Sequence, residues 1–208
     1  MSGDRCRIAV FARAPRPGRV KTRLAPAIGQ RGAAALHRQL VRHTVRTAVA
    51  AGIGSVTLYC TPDTRDALFL ACRRELRAGL ARQQGAGLGE RMFRALREQT
   101  RGDRPALLVG SDCPGVDPAY LCSALSALEA GHDTVLGPST DGGYVLIGTR
   151  RPRPGLFRGI RWGDATVLRS TLRRLDRARA SYRLLPARSD IDSPADLRAA
   201  RRAGVVAY

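Results

Sequence analysis

Two spacings of apolar residues take turns along this chain. Short apolar-rich runs at residues 7–13, 55–60, 106–109, 134–138, 145–148 and 182–186 have the length and content of strands. The run at 106–109, Ala-Leu-Leu-Val, shows no polar alternation, which suits a strand covered on both faces of a parallel sheet. Between the runs lie longer segments with helical spacing. Residues 30–51 carry Leu36, Leu40, Val41, Thr44, Val45, Ala48 and Val49 on one stripe and stop at Gly52. Further helices are expected from Pro62-Asp63 to about Leu76, over 88–99, over 117–130 and over 165–178, with a last one near Pro194. Asp117-Pro118 places an acceptor at the cap and proline at the first helical position, and Asp164 and Asp192 or Ser193 are placed to cap the two later helices. Strands alternating with helices predict an α/β fold: one layered domain over residues 1–208, a mostly parallel sheet with one antiparallel excursion, and helices on both faces.

Composition narrows the setting. No apolar run approaches the length of a membrane span, and the opening Met-Ser-Gly-Asp-Arg-Cys-Arg leads straight into a strand, so a cytoplasmic protein is expected. Five cysteines, none in a Cys-x-x-Cys pair, read as reduced thiols rather than a disulfide or zinc framework. The formal charge of +19 raises nucleic acid as a partner. Against it, the arginines are spread over every predicted helix and few aromatics are interleaved to stack bases, so no specific nucleic-acid binding is expected. Lys21 is the sole lysine in a chain that otherwise uses arginine, which marks a place where a compact point charge differs from a planar fork.

Candidate chemistry gathers at the predicted strand ends. The 106–109 run ends at Gly110-Ser-Asp112-Cys-Pro114, putting a carboxylate at the carboxyl end of a central strand, where ligands bind in open α/β sheets. Asp117 already serves as the helix cap, which leaves Asp112 free to hold a divalent metal against a polyphosphate. After the first strand, a loop with Pro15, Pro17 and Gly18 carries Arg16, Arg19, Lys21 and Arg23, a basic cradle that lacks the Gly-Lys pair of a Walker A loop. Gln84-Gly85-Ala-Gly87-Leu-Gly89-Glu-Arg91 combines glycines with a helix start, and Asp141-Gly142-Gly143-Tyr144 forms a turn between two strands. His37 and His43 read as surface positions on the first long helix.

Together, Pro-Gly18-x-Val-Lys21-Thr-Arg23-Leu, Gln84-Gly-x-x-Leu-Gly89-Glu-Arg91-Met, Gly-Ser-Asp112-Cys-Pro, Gly-Pro-x-x-Asp141-Gly-Gly-Tyr144 and Asp190-Ile-Asp192-Ser-Pro-x-Asp-Leu resemble a small bacterial family of glycosyltransferase-like proteins, the nucleotide-diphospho-sugar transferases. The resemblance runs from about residue 8 to 204. It implies a three-layer, Rossmann-like GT-A-type fold related to the guanylyltransferases of molybdenum-cofactor and coenzyme F420 biosynthesis and to sugar-acid cytidylyltransferases. It implies Mg²⁺ or Mn²⁺ on Asp112 and Asp192, and nucleotide phosphates on Arg13, Gly18, Lys21, Arg23, Gln84, Gly85, Gly89 and Arg91. Asp141 and Lys21 are the expected catalytic groups, with Gly142, Gly143, Tyr144 and Trp162 against the substrate. Two reactions stay open: transfer from a nucleoside-diphosphate sugar to a small acceptor, or joining of an NTP to a phosphorylated or carboxylated small molecule with release of pyrophosphate. The lone Asp112, where GT-A glycosyltransferases usually carry Asp-x-Asp, resembles the second group.

Overall fold

The computed structural model describes residues 4–202. Seven strands form one sheet in the order β3-β2-β1-β4-β6-β5-β7. They are β1 (Cys6–Arg13), β2 (Gly54–Thr61), β3 (Gly79–Arg82), β4 (Ala106–Gly110), β5 (Thr134–Pro138), β6 (Tyr144–Thr149) and β7 (Tyr182–Leu184). Only β6 runs antiparallel, against both β4 and β5. Around the sheet pack α1 (Ala25–Ala50), α2 (Ala67–Leu76), α3 (Leu88–Gln99), α4 (Pro118–Glu129), α5 (Val167–Arg177) and α6 (Pro194–Arg202). This is the expected three-layer α/β architecture, antiparallel excursion included.

Pleating sorts the central strand between two cores. Ile8 and Val10 point to a face covered by Val41 and Val45 of α1, Phe69 of α2 and Leu121 and Leu125 of α4. Ala9 and Phe11, one position out of phase, meet Met92 and Leu96 of α3 and Leu175 of α5 on the other face. Leu107 and Val109 of β4 fall with the first group and Leu108 with the second, so β4 has no solvent face for a polar residue to occupy. That explains its unalternating sequence. A third cluster joins Leu24, Leu36 and Leu40 to Ile191 and Leu197 near the C-terminal end of the chain.

Several local expectations shift. The short strand β3 was not apparent, because Gly-Leu-Ala-Arg carries little strand signal, yet it pairs in parallel with β2. Helix α2 begins at Ala67, not at Pro62, because Asp66 accepts a hydrogen bond from Leu68 N and sets the cap there. Helix α5 begins at Val167, with Thr166 at the cap position and Asp164 accepting from Thr166 N just outside it. Asp117 caps α4 as expected, accepting from Tyr120 N at 2.7 Å. Helix α1 is longer than its apolar stripe but is broken at Gly29, whose φ of 71° is non-helical. All five cysteines are free, and among the described residues no helix is long and apolar enough to cross a membrane.

Because β6 is reversed, its amino end lies beside the carboxyl ends of its parallel neighbours. The loops after β1, β2, β3, β4 and β7 and the β5–β6 connection therefore all open at one edge of the sheet. Tight packing toward the opposite edge is set at Gly148 of β6, where an added Cβ would lie 2.5 Å from Leu107 Cδ2 and 2.6 Å from Val135 Cγ1. Gly148→Ala is expected to destabilise the fold by about 1–3 kcal/mol through overpacking. Urea unfolding checks this, and a midpoint unchanged from wild type would show that the core yields there.

Candidate active site

The loop after β1 turns the chain so that Lys21 points into the sheet edge. Its backbone is left-handed, φ 47° and ψ 40°, a conformation that disfavours any residue with a Cβ by about 1–2 kcal/mol. The side chain is only 4% exposed, and its ammonium lies 2.7 Å from Ile191 O, 2.7 Å from Asp192 Oδ1 and 2.9 Å from Asp112 Oδ1. Ile191 O and Asp192 Oδ1 each accept a hydrogen bond from the group, and Asp112 Oδ1 meets it as an ion pair. One ammonium can touch both carboxylates at these distances only if the carboxylates themselves are neighbours, so residues 80 apart in sequence share one spot. Burial works against the charge of Lys21, but the two carboxylates outweigh it and hold its pKa above the ordinary lysine value.

The placement of each partner follows from local sequence. Asp112 leaves β4 two residues past its end, and its carbonyl accepts from Ile191 N at 3.0 Å. Ile191 is 2% exposed and packed in the cluster with Leu24, Leu36 and Leu40. An apolar anchor between Asp190 and Asp192 thus docks that segment beside Asp112. The same segment is stitched to the β5–β6 connection, where Thr140 N donates to Arg188 O and Ser139 Oγ to Asp190 Oδ2. Burial acts to raise the pKa of Asp112, yet His37 and Lys21 prevail and hold it well below the usual carboxylate range.

A cleft of about 660 Å³ opens over these groups. Asp112 and Asp192 keep 44% and 43% of their side chains exposed toward it, and Arg13, Arg19, Arg23 and Asp141 complete its charged lining. Among the described residues none of the three arginines is in a salt bridge. Of the expected phosphate contacts, Arg13, Lys21 and Arg23 are brought to the cleft, although Lys21 is already committed to carboxylates. Gly18 supplies a turn at φ 72° behind the loop. The glycine-rich group is not brought there. Gln84 and Arg91 face a separate hollow of about 260 Å³, Arg91 Nε donates to Gly85 O, and Gly89 packs under Trp162. Of that segment only Leu88 lines the cleft, joined by Gln83 just before it, whose amide is fixed by Ala12 O and Tyr59 O.

Asp141 sits at the cleft wall, its Oδ1 accepting from Gly143 N in a tight turn. It also borders a smaller hollow that holds Gly143, Tyr144 and Trp162. Gly142 lines neither. Its φ of 90° and an added Cβ only 2.1 Å from Ala165 O show that its part is close backbone packing.

Two groups were misjudged or overlooked in the sequence. His37 is not a surface residue: it is 4% exposed, with Nε2 3.0 Å from Arg13 O and Nδ1 3.6 Å from Asp112 Oδ1. Its position one residue past Leu36 and three before Leu40 already put it on the apolar stripe of α1. Asp190 is half-buried, and loss of water around it, followed by the charges of Asp112 and Asp192, pushes its pKa up to about 7. Its signal was the Asp-Ile-Asp spacing around one buried isoleucine.

The donor set fits a hard divalent cation. Two carboxylates converge, both face the cleft, and buried Asp112 Oδ1 lacks a well-aligned hydrogen bond. Among the described residues no group of three or more His, Cys, Asp or Glu is placed to hold a metal. Two carboxylates are what Mg²⁺ uses when water and substrate phosphate supply the other ligands.

Comparison with known proteins bears out the fold. Residues 44–164 match the model of a family described as an uncharacterized protein conserved in bacteria (DUF2064). A Desulfovibrio desulfuricans G20 protein, provisionally named a nucleotide-diphospho-sugar transferase, is 34% identical with a TM-score of 0.87, over 96% of this chain and 87% of its own. A nucleotidyl transferase from Methanothermobacter thermautotroptrophicus shares the fold at 18% identity and a TM-score of 0.61, over 97% and 98% of the two chains. Glucosyl-3-phosphoglycerate synthase from Mycobacterium tuberculosis, solved with Mn²⁺ and UDP, does so at 13% and 0.57, over 98% and 77%. No curated protein sequence matches. The architecture is therefore that of the GT-A and nucleotidyltransferase group.

Lys21→Met keeps the apolar stem and leaves Asp112 and Asp192 facing each other without a countercharge. The expected loss of stability is about 1–3 kcal/mol, less than the 3–5 of a fully buried pair because both carboxylates reach solvent. Mg²⁺ or Mn²⁺ is expected to raise the melting temperature of the variant more than that of the wild type. Calorimetry with and without the ion checks this; equal responses would mean that ion and ammonium do not share the carboxylates.

Proposed function

The chain belongs to the DUF2064 family, and on that premise we propose that it is a transferase drawing a glycosyl group from a nucleoside-diphosphate sugar onto a small-molecule acceptor in the cytoplasm. The observation that carries this reading is the joining of Asp112 and Asp192 at the floor of a cleft walled by Arg13, Arg19 and Arg23. Its volume of about 660 Å³ lies within the range of small-molecule sites, about 300–1,000 Å³.

The difficulty of such a transfer is the negative charge that develops on the departing diphosphate. Preorganised guanidiniums stabilise that charge without having to reorient, which is where such sites gain most. Mg²⁺ or Mn²⁺ held by Asp112 and Asp192 supplies Lewis-acid neutralisation of the same oxygens when bound. Lys21 holds the two carboxylates together and thereby fixes where the diphosphate sits. Gln83, immobilised by two backbone carbonyls, borders the end of the cleft beyond β2 and fits a contact to the nucleoside. Asp141 stands on the side away from the basic loop. In this reading the acceptor oxygen bonds to the anomeric carbon as the bond to the diphosphate breaks, the diphosphate leaves with the electron pair, and the acceptor proton passes toward Asp141.

A second reading, nucleotidyl transfer from an NTP, is favoured by one feature, the lone aspartate at the end of β4. The two are separated by product. Incubation with nucleotide sugars is expected to release nucleoside diphosphate, and incubation with NTPs to release no pyrophosphate; pyrophosphate from an NTP would hand the site to the second reading. Thermal shift identifies the nucleotide, since a ligand at a hundred times its Kd adds about 2.7 kcal/mol.

Asp141→Asn can keep the hydrogen bond from Gly143 N, so fold and nucleotide affinity should be preserved while turnover falls by about 10² or more. Full turnover would return Asp141 to a turn residue. Lys21→Ala is expected to weaken nucleotide binding far more than Arg38→Ala on the exposed face of α1, because single screened charges contribute little. Titration calorimetry compares the two, and equal losses would favour diffuse attraction by the net charge.

A further inference from the structure

The hollow beside Asp141 differs in kind from the cleft that it adjoins. It encloses about 200 Å³, walled by Phe11, Met92, Leu108, Tyr144, Trp162 and Val167. Its ionisable lining consists of Asp141, Asp164 and the phenol of Tyr144. No arginine lines it, in a chain with 36 lysine and arginine residues. Asp141 and Gly163 border both spaces, so a molecule in the hollow meets whatever lies in the cleft at Asp141.

The hollow is built into the fold and does not depend on a loop closing. Tyr144 and Trp162 meet edge to face, ring centres 6.3 Å apart at 87°, a preferred aromatic geometry. Trp162 reaches that position because Gly89 has no side chain: a Cβ there would lie 2.5 Å from both Trp162 Nε1 and Phe157 O. Gly142 likewise lets the Asp141 turn lie against Ala165.

We propose that this hollow receives the acceptor, and that the acceptor carries an uncharged apolar body of about benzene size or slightly larger, with its nucleophilic oxygen toward Asp141. This rests on the transferase reading for the word acceptor, but the binding chemistry stands on the walls alone. Apolar walls stabilise an apolar group in proportion to the area removed from water. A cavity of about 150 Å³ already holds benzene. A carboxylate or phosphate here would face Asp141 and Asp164 with no cation in the lining, so anionic acceptors are rejected even though the protein as a whole is strongly basic. The phosphorylated or carboxylated substrates of the second reading are therefore disfavoured at this position.

The sole tryptophan lines this hollow and also a second space bordered by Arg94, Arg97 and Arg158, so a response that depends on Asp141 and Asp164 is the one that belongs to the hollow. Titrating the protein with 2-phenylethanol is expected to change Trp162 emission in a saturable way, and phenylacetate, of similar size but anionic, is expected to need at least tenfold more ligand. In Asp141→Asn/Asp164→Asn, which keeps both turn acceptors, the gap should narrow by about tenfold. No saturable response to 2-phenylethanol, equal response to phenylacetate, or a gap unchanged in the double variant each overturns the proposal. A nucleotide thermal shift on the same preparations keeps the two readings apart. Nucleotide binding without a phenylethanol response removes this inference and leaves the transferase, whereas the converse leaves the hollow and removes the transferase.

Discussion

Three distant parts of the chain meet at one ammonium. Lys21 comes from the loop after β1, Asp112 from just past the end of β4 and Asp192 from the segment after β7, and the ammonium is the group that both carboxylates touch. Two carboxylates this close repel unless a cation lies between them. Lysine suits that place better than arginine, because a compact ammonium can direct protons at three acceptors around a point, whereas a guanidinium presents a plane. The left-handed backbone at Lys21 is the conformational cost of aiming it there, and its persistence shows how strongly the surroundings determine it.

From that junction the division of labour across the sheet edge follows. Cations without acidic partners lie on the β1 side, carboxylates lie over β4 and β7, and apolar walls lie over β4 and β6 toward α3 and α5. Each region draws on a different feature of the sequence: the basic loop, the Asp-ending strand and Asp-Ile-Asp segment, and the glycines that allow Trp162 and the β5–β6 turn to pack closely. The reversed strand β6 is what brings the last of these to the same edge as the others.

Much of this was legible beforehand where the signal was local. The unalternating run before Asp112 announced a central strand, and Asp117-Pro118 announced the helix start that left Asp112 free. Lys21 stood out by composition, but not what it contacts: a lysine among arginines resembles a phosphate ligand until the carboxylates from residues 112 and 192 are seen on it. The glycine-rich segment misled for the opposite reason. Its glycines serve packing and turning rather than the approach of a ligand; Leu88 reaches the cleft from within it, and Gln83 reaches it from just past a four-residue strand too short to register. His37 was misplaced because histidine is common on surfaces, even though its place in the apolar stripe argued for the interior.

The position of Asp192 has a consequence for the protein while it is being made. Lys21 and Asp192 are 171 residues apart, and the segment that brings them together also supplies Ile191, which fills the cluster under α1. Most of the sheet can pair before that segment leaves the ribosome, but the carboxylate pair cannot form, because one of its members and the anchor beside it are made only after the seventh strand. A nascent chain that stops short of residue 190 therefore has a basic loop and a lone aspartate, without the paired carboxylates. The paired carboxylates are thus confined to chains synthesised at least as far as Asp192.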